Sequence, residues 1–285
     1  KHKGILGLWK LSKELRKLNR STPLTTSLDA IADLHNVLRS NILKLFLFNI
    51  KSVQIDKGRA EKKALVSGKT FKQLKTTVAR YADVFEKLGF KLDLSKPTFP
   101  KQAKLNVTVL EILRQAQHDT VSQKKLKWIG IAPFAAHAGK MYPLNLLEEV
   151  IASLSKTHKI LLFGGGQQEI NQLNDMASKF AAVINLAGKL TLDEELDVIS
   201  NLDVMLSTDS SNAHLAAMMG KKVITIWGVT HPFAGFSAFN QPRDYALLSD
   251  RNTYPKIPTS IYGNKYPENY KDCSKSISPE TIIKK

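Results

Sequence analysis

From residue 126 onward the apolar positions alternate between two patterns. Continuous apolar runs of strand length occupy residues 128–132, 159–163, 183–186, 204–207 and 223–227. Between them, residues 144–154, 169–180 and 192–202 carry apolar side chains three and four apart, the spacing of a helix with one buried face. Strands and helices that alternate with short connections predict a parallel sheet covered by helices. In that architecture ligands bind beyond the carboxyl ends of the strands, so the loops after these runs are where chemistry is expected.

The first 125 residues are less regular. The pattern predicts a basic helix over residues 8–18, a strand over 28–34, a helix over 37–48 and another from about 71 to 88. Residues 89–127 hold Pro97, Pro100 and many polar side chains, with one strand-like piece, "LNVTVL", at 105–110. A domain boundary is expected at 115–126, which divides the chain into residues 1–125 and 126–285. No internal repeat or low-complexity tract occurs.

Composition narrows the classes. A chain of 285 residues that is 43% hydrophobic can bury a substantial core, so bulk disorder is excluded. The longest apolar run, near residues 42–48, is broken by Lys44 and falls far short of the ~20 residues of a membrane span. Cys273 is the only cysteine, so one chain can form neither a disulfide nor a cysteine zinc site, and a reducing, cytoplasmic setting is expected. A net charge of +17, heaviest in the first 130 residues, points to polyanionic partners: phosphorylated ligands, an anionic membrane surface or nucleic acid. No basic motif interleaved with aromatics is present, so a nucleic-acid partner is not expected. The chain starts on Lys, and its first apolar patch is too short for a signal peptide.

Three loops carry candidate chemistry. At residues 207–220, "STDSSNAHLAAMMG" stands between two strand runs and is therefore a strand-to-helix corner. The first-turn N–H groups of a helix lack intrahelical partners and carry the positive end of its dipole, which makes an anion site. Ser210, Ser211 and Asn212 suit that position, and His214 lies within the first turn. Asp209 would repel an anion unless it faced another part of the ligand, such as sugar hydroxyls. The second loop follows "LLF", where Gly164, Gly165 and Gly166 allow close backbone approach and Gln168 or Glu169 could accept from ribose hydroxyls. It is not a dinucleotide fingerprint, because the third glycine of G-x-G-x-x-G falls on Glu169. The third loop, "APFAAHAGKMYP", offers Lys140 as a point charge for phosphate. "SGKT" at residues 67–70 is not a P-loop, since Lys63 stands where the first glycine must be. The chain has no H-E-x-x-H, no G-x-S-x-G and no D-x-D pair, so a metal-held nucleotide is not expected.

The stretch "STDSSNAHLAAMMGKKVITIWGVTHPFAGFSAF" resembles the donor-site segment of glycosyltransferase family 9, the ADP-heptose:lipopolysaccharide heptosyltransferases, with its Asp-(Ser/Thr)-Gly-x-x-His-Leu-Ala-Ala. "FGGGQQE", "INLAGKLTLDEELDVISNLDVMLS" and "GKMYP" are similar to the family's neighbouring segments. Upstream, "DAIADLHNVLRS" and "VARYADVFEKLGF" resemble its acceptor-side motifs, so the resemblance runs along nearly the whole chain. Ser211 stands at the family's usual glycine, and "FAAHAG" lacks the hydroxyl side chains common there.

The resemblance implies a GT-B fold, two Rossmann-like domains with parallel sheets. The C-terminal one would hold the nucleotide-sugar and the N-terminal one, incomplete here, the acceptor. It implies metal-independent, inverting transfer of a sugar, heptose from ADP-heptose, onto an acidic lipopolysaccharide core, with no cofactor, at the cytoplasmic face of the inner membrane. Asp209, holding sugar hydroxyls, and Lys140, offsetting charge that grows on the leaving group, would be the catalytic residues; Ser210, Ser211, Asn212 and His214 would hold the diphosphate, with Lys140 beside it, and Gly164, Gly165 and Gln168 or Glu169 the nucleoside. Arg39, His35 and Asn36 would face the acceptor. The family's general base is the aspartate of a Gly-Asp motif, expected upstream of Lys1, so a chain starting at Lys1 is expected to bind donor without turnover. The alternative is a non-catalytic, basic polyanion-binding protein.

Overall fold

A computed structural model of the chain describes residues 2–18, 28–114 and 126–285. In chain order its elements are α1 (Gly4–Leu18), β1 (Ala30–Asp33), α2 (Leu38–Phe46), β2 (Lys51–Gln54), α3 (Arg59–Val66), α4 (Thr77–Lys87), α5 (Val107–Arg114), β3 (Trp128–Ala132), α6 (Leu144–Leu154), β4 (Lys159–Leu162), α7 (Gln167–Ser178), β5 (Val183–Asn185), α8 (Leu192–Ser200), β6 (Val204–Thr208), α9 (Ser211–Met218), β7 (Lys222–Trp227), β8 (Ala246–Leu248) and α10 (Pro279–Lys284). They form two compact units, Lys1–Ala60 with Lys75–Pro97, and Glu61–Leu74 with Thr98–Lys285. The expected boundary at 115–126 lies almost wholly outside the described residues, and the units part earlier, after Pro97. The reason is α5. It was expected as a strand from its β-branched residues, but Val109 and Leu113, four apart, bury against Leu161 and Phe163 of the second unit, and the Asn106 side chain accepts from the Val109 N–H at 2.8 Å to start the helix.

In the first unit β1 and β2 pair in parallel, Ala30 opposite Lys51 through Asp33 opposite Gln54. The helix expected from residue 71 begins only at Thr77, because the Thr76 hydroxyl accepts from the Ala79 N–H and caps it there. Strand β2 was not expected, nor was helix α3, most of which belongs to the second unit, since each is short and rich in polar side chains. At the end of β1, Asp33 is buried and draws the chain into a tight turn: it accepts from the N–H groups of His35 and Asn36, from Ser40 Oγ and from Lys44 Nζ at 2.7 Å. Asn36 takes the left-handed conformation (φ 43°), and its side-chain amide donates to the Ile55 carbonyl at 3.0 Å.

The second unit is built on a six-stranded parallel sheet in the order β5-β4-β3-β6-β7-β8. All five expected strands are present; β8, three residues long, is an addition. Both faces of the sheet are packed. Ile129, Ile131, Ile160 and Leu162 face one core with α6 and α10, while Leu161, Phe163, Met205 and Val223 face the other with α5, α8 and α9. Gly130 is required in β3, because a Cβ there would come within 2.5 Å of Leu202 and 3.0 Å of Phe163. From β3 the strand order runs one way to β4 and β5 and the other to β6, β7 and β8, so the loops after β3 and β6 flank the switch point where such sheets open for ligands.

Candidate functional site

The polar opening of the 207–220 corner divides between strand and loop. Ser207 and Thr208 are fully buried at the end of β6, and their hydroxyls are satisfied within the protein: Thr208 Oγ1 donates to the Phe134 carbonyl at 3.0 Å, and Ser207 Oγ lies 3.1 Å from Ser210 Oγ. Ser210 occupies the N-cap of α9 with an extended backbone, yet its side chain accepts no bond from the first turn, because it turns back to Ser207. The first-turn N–H groups of α9 are left open to the cavity lined by Ser210, Ser211 and Asn212, with the positive end of the helix dipole behind them. Ala213, Ala216 and Ala217 are buried, and their small side chains let α9 lie close on β6 and β7.

Asp209, only 5% exposed, is the electrostatic centre of the corner. Its Oδ2 lies 2.8 Å from Lys140 Nζ and accepts from Thr230 Oγ1 at 3.2 Å, while Lys140 also donates to the Asp209 carbonyl at 3.1 Å. Lys140 ends a 3-10 turn, Ala138–Lys140, held from two sides. The Val229 N–H donates to the Gly139 carbonyl at 2.8 Å, which requires glycine at 228, where a Cβ would stand 2.2 Å from that oxygen. Gly263, at φ 77°, passes so close to the Lys140 stem that its own Cβ would meet Cγ at 2.6 Å. The lysine is therefore aimed by backbone on both sides, and the ion pair joins the loops after β3 and β6.

Around this pair opens a cavity of about 660 Å³. It takes in Gly164, Gly165 and Glu169 after β4; Glu169 accepts from the Gly165 N–H at 2.8 Å, and Gly164 leaves room for that carboxylate, whose Oε2 would be 3.1 Å from a Cβ. Gln168 is exposed and is not among the lining residues, so of the two alternatives Glu169 faces the cavity. His214 lies at the rim, open to solvent on one side; burial among its neighbours pushes its imidazole below the ordinary value, the Asp209 charge acting against that and Lys140 with it. The cavity also holds residues that the motifs did not indicate. Phe134, Phe163, Leu192 and Glu195 line it, as do Phe236, Ile261 and Tyr262. Burial raises the Glu195 carboxyl above its usual range. Phe134, Phe163, Leu192 and Glu195 share a signal that was available in the sequence, position at or just after a strand end or on the first turns of the next helix, but their residue types were not distinctive; Phe236, Ile261 and Tyr262 lie in loops farther from the strand ends and carried no such signal.

The acceptor-side candidates belong to the first unit. His35 and Arg39 are exposed, Arg39 donating to the His2 carbonyl at 2.7 Å, whereas Asn36 is used by the turn around Asp33. Among the described residues no three His, Cys, Asp or Glu side chains gather in a metal-binding group, and no helix is long and apolar enough to cross a membrane.

The sequence profile described as Glycosyltransferase family 9 (heptosyltransferase) matches residues 15–262. A curated relative, lipooligosaccharide heptosyltransferase 2 of Campylobacter jejuni, is 24% identical over 172 residues, covering 59% of this chain and 52% of that protein. The chain thus spans about half the length of that relative. Among solved structures, the Escherichia coli ADP-heptose lipopolysaccharide heptosyltransferase II superposes with a TM-score of 0.60 at 16% identity, over 97% of this chain and 78% of that one. A family 9 glycosyltransferase from Veillonella parvula superposes with a TM-score of 0.66 at 18% identity, over 100% of this chain and 78% of the other. At these identities the two structures establish the fold.

Proposed function

The chain belongs to glycosyltransferase family 9 (heptosyltransferase), and from that premise we propose that its second unit binds a nucleotide-sugar, ADP-heptose, for inverting, metal-independent transfer to an acidic lipopolysaccharide core. The observation that carries this reading is the Lys140–Asp209 pair at the open N-terminus of α9. A cation and a carboxylate 2.8 Å apart suit a ligand that is anionic at one point and rich in hydroxyls at the next, as a sugar diphosphate is.

The diphosphate would lie against the first-turn N–H groups of α9, with Lys140 Nζ beside it. Thr230 and Lys140 both engage Oδ2 of Asp209, which leaves Oδ1 to accept from sugar hydroxyls. Glu169 would take the ribose hydroxyls. When the bond between the anomeric carbon and the diphosphate breaks, negative charge grows on the departing phosphate oxygen. A helix N-terminus offsets up to ~2 kcal/mol of such charge in a partly buried site, and a preorganised donor contributes roughly 3 kcal/mol. His214 would donate to a phosphate oxygen. Arg39 and His35, exposed on the first unit, would meet anionic groups of the acceptor. The +17 charge suits an acidic acceptor at the cytoplasmic face of an anionic membrane.

Titration calorimetry with ADP and ADP-heptose tests the reading. Lys140→Ala should weaken both ligands about tenfold, the scale of one hydrogen bond to a charged group. Asp209→Asn should weaken ADP-heptose by a similar factor while leaving ADP unweakened, since only the sugar loses a partner. Failure of the unsubstituted chain to bind either ligand would reject the proposal.

A further inference from the structure

The order of the strands gives the cavity a direction. Parallel neighbours lie about 4.8 Å apart, and the cavity-lining segments follow β5, β4, β3 and β6 in that spatial order. Helix α8 leaves β5 and returns the chain to β6, packing beside α9 on the way, and its first turns close the cavity beyond the β4 loop. This inference rests on the donor reading above: with the diphosphate at α9 and the ribose beside Glu169 after β4, the base of the nucleotide is carried to α8.

At that end α8 presents Leu192 and Glu195, one helical turn apart on the face that lines the cavity. The neighbouring Glu194 is committed to the helix cap and to Asn106. Glu195 is half-buried, and its carboxylate has neither an ion pair nor a hydrogen bond among the described residues. Burial without a partner disfavours its charged form. A carboxyl group in an apolar wall that supports nothing in the protein is explained by a partner that arrives with the ligand.

We infer that Glu195 is a specificity-determining residue, whose carboxylate accepts a hydrogen bond from the exocyclic amino group of the donor's base and so selects adenine over uracil. Adenine presents an N–H₂ donor where uracil presents a carbonyl oxygen. An oxygen facing the carboxylate gains no bond and leaves a half-buried charge unpaired, which is the arrangement by which polar sites discriminate most strongly.

The test is the ratio of ADP to UDP affinity, measured calorimetrically on the full chain and on Glu195→Gln, with Glu195→Ala as a second variant and circular dichroism as a check of folding. The unsubstituted chain should prefer ADP by about tenfold or more. Glu195→Gln, whose amide both donates and accepts, should narrow the preference to within about threefold, as should Glu195→Ala. A role confined to shaping α8 would weaken both nucleotides alike and keep the ratio; that outcome, or equal affinities in the unsubstituted chain, overturns the assignment. If both nucleotides bind in a Lys140-dependent manner and the ratio ignores position 195, the donor reading stands and only Glu195 falls. If neither binds, both fall.

Discussion

Asp209 meets Lys140, Thr230 and the open end of α9 within one corner, so its charge matters to the fold as well as to any ligand. Asp209→Asn leaves Lys140 without a counterion in a site where its side chain is 16% exposed, and the ligand-free chain should lose roughly 1–3 kcal/mol in urea titration. His231 offers a separate test. It is buried against Phe71 and Phe233, and its Nδ1 accepts from the Phe233 N–H at 3.1 Å, which requires the neutral ring. Burial first, and then the Arg251 charge, depress its pKa to about 4. An unfolded histidine titrates near 6.5. Between those values the unfolded chain holds the extra proton, so stability rises with pH and is lost on acidification from about 6.5 to 4, by about 3 kcal/mol from this group. His231→Asn, which keeps an acceptor for Phe233, should flatten that part of the pH dependence when urea midpoints are compared at pH 7 and pH 4.5.

At the scale of elements, the open N-terminus of α9 makes a prediction with two signs. Ser211→Asp places a negative charge on the positive end of the dipole and should stabilise the unliganded protein by about 0.3–1 kcal/mol. The same carboxylate occupies the ground a diphosphate would take, so ADP affinity should fall about tenfold in calorimetry. Stabilisation with unchanged ADP affinity would mean that the helix end is only a cap. Gly228→Ala acts on the opposite wall. Its Cβ would collide with the Gly139 carbonyl, displacing the turn that aims Lys140, and both stability and ADP affinity should drop. Helix α5 teaches a different point about elements: its β-branched residues suggested a strand, but the four-residue spacing of Val109 and Leu113 matched the surface they cover.

For the whole molecule, occupancy of the cavity should be visible as stability. A ligand at a hundred times its dissociation constant adds about 2.7 kcal/mol, and Trp128 and Trp227, both in the second unit, report its unfolding by fluorescence. ADP should therefore raise that transition, and Lys140→Ala, with binding about tenfold weaker, should remove about half of the shift. With a net charge of +17, ADP binding should also weaken as salt is added, because screening reduces the attraction of the basic surface for an anion.

Much of this was determined by sequence alone. The five strands and the helices between them follow from local apolar periodicity, and the corner's chemistry follows from Asp209, Ser210, Ser211 and His214 standing where a strand becomes a helix. Such features depend on residues within a few positions of one another, whose backbone preferences and caps act before any distant contact forms. Tertiary structure decided the rest. It set Lys140 against Asp209, 69 residues away, put Glu169 rather than Gln168 at the cavity wall, and brought Glu195 and Phe236 to the same cavity. It also joined α5 to the second unit and added β8 at the sheet's edge. Those outcomes depend on the lateral order of strands in the sheet, and that order is settled by which buried faces fit together.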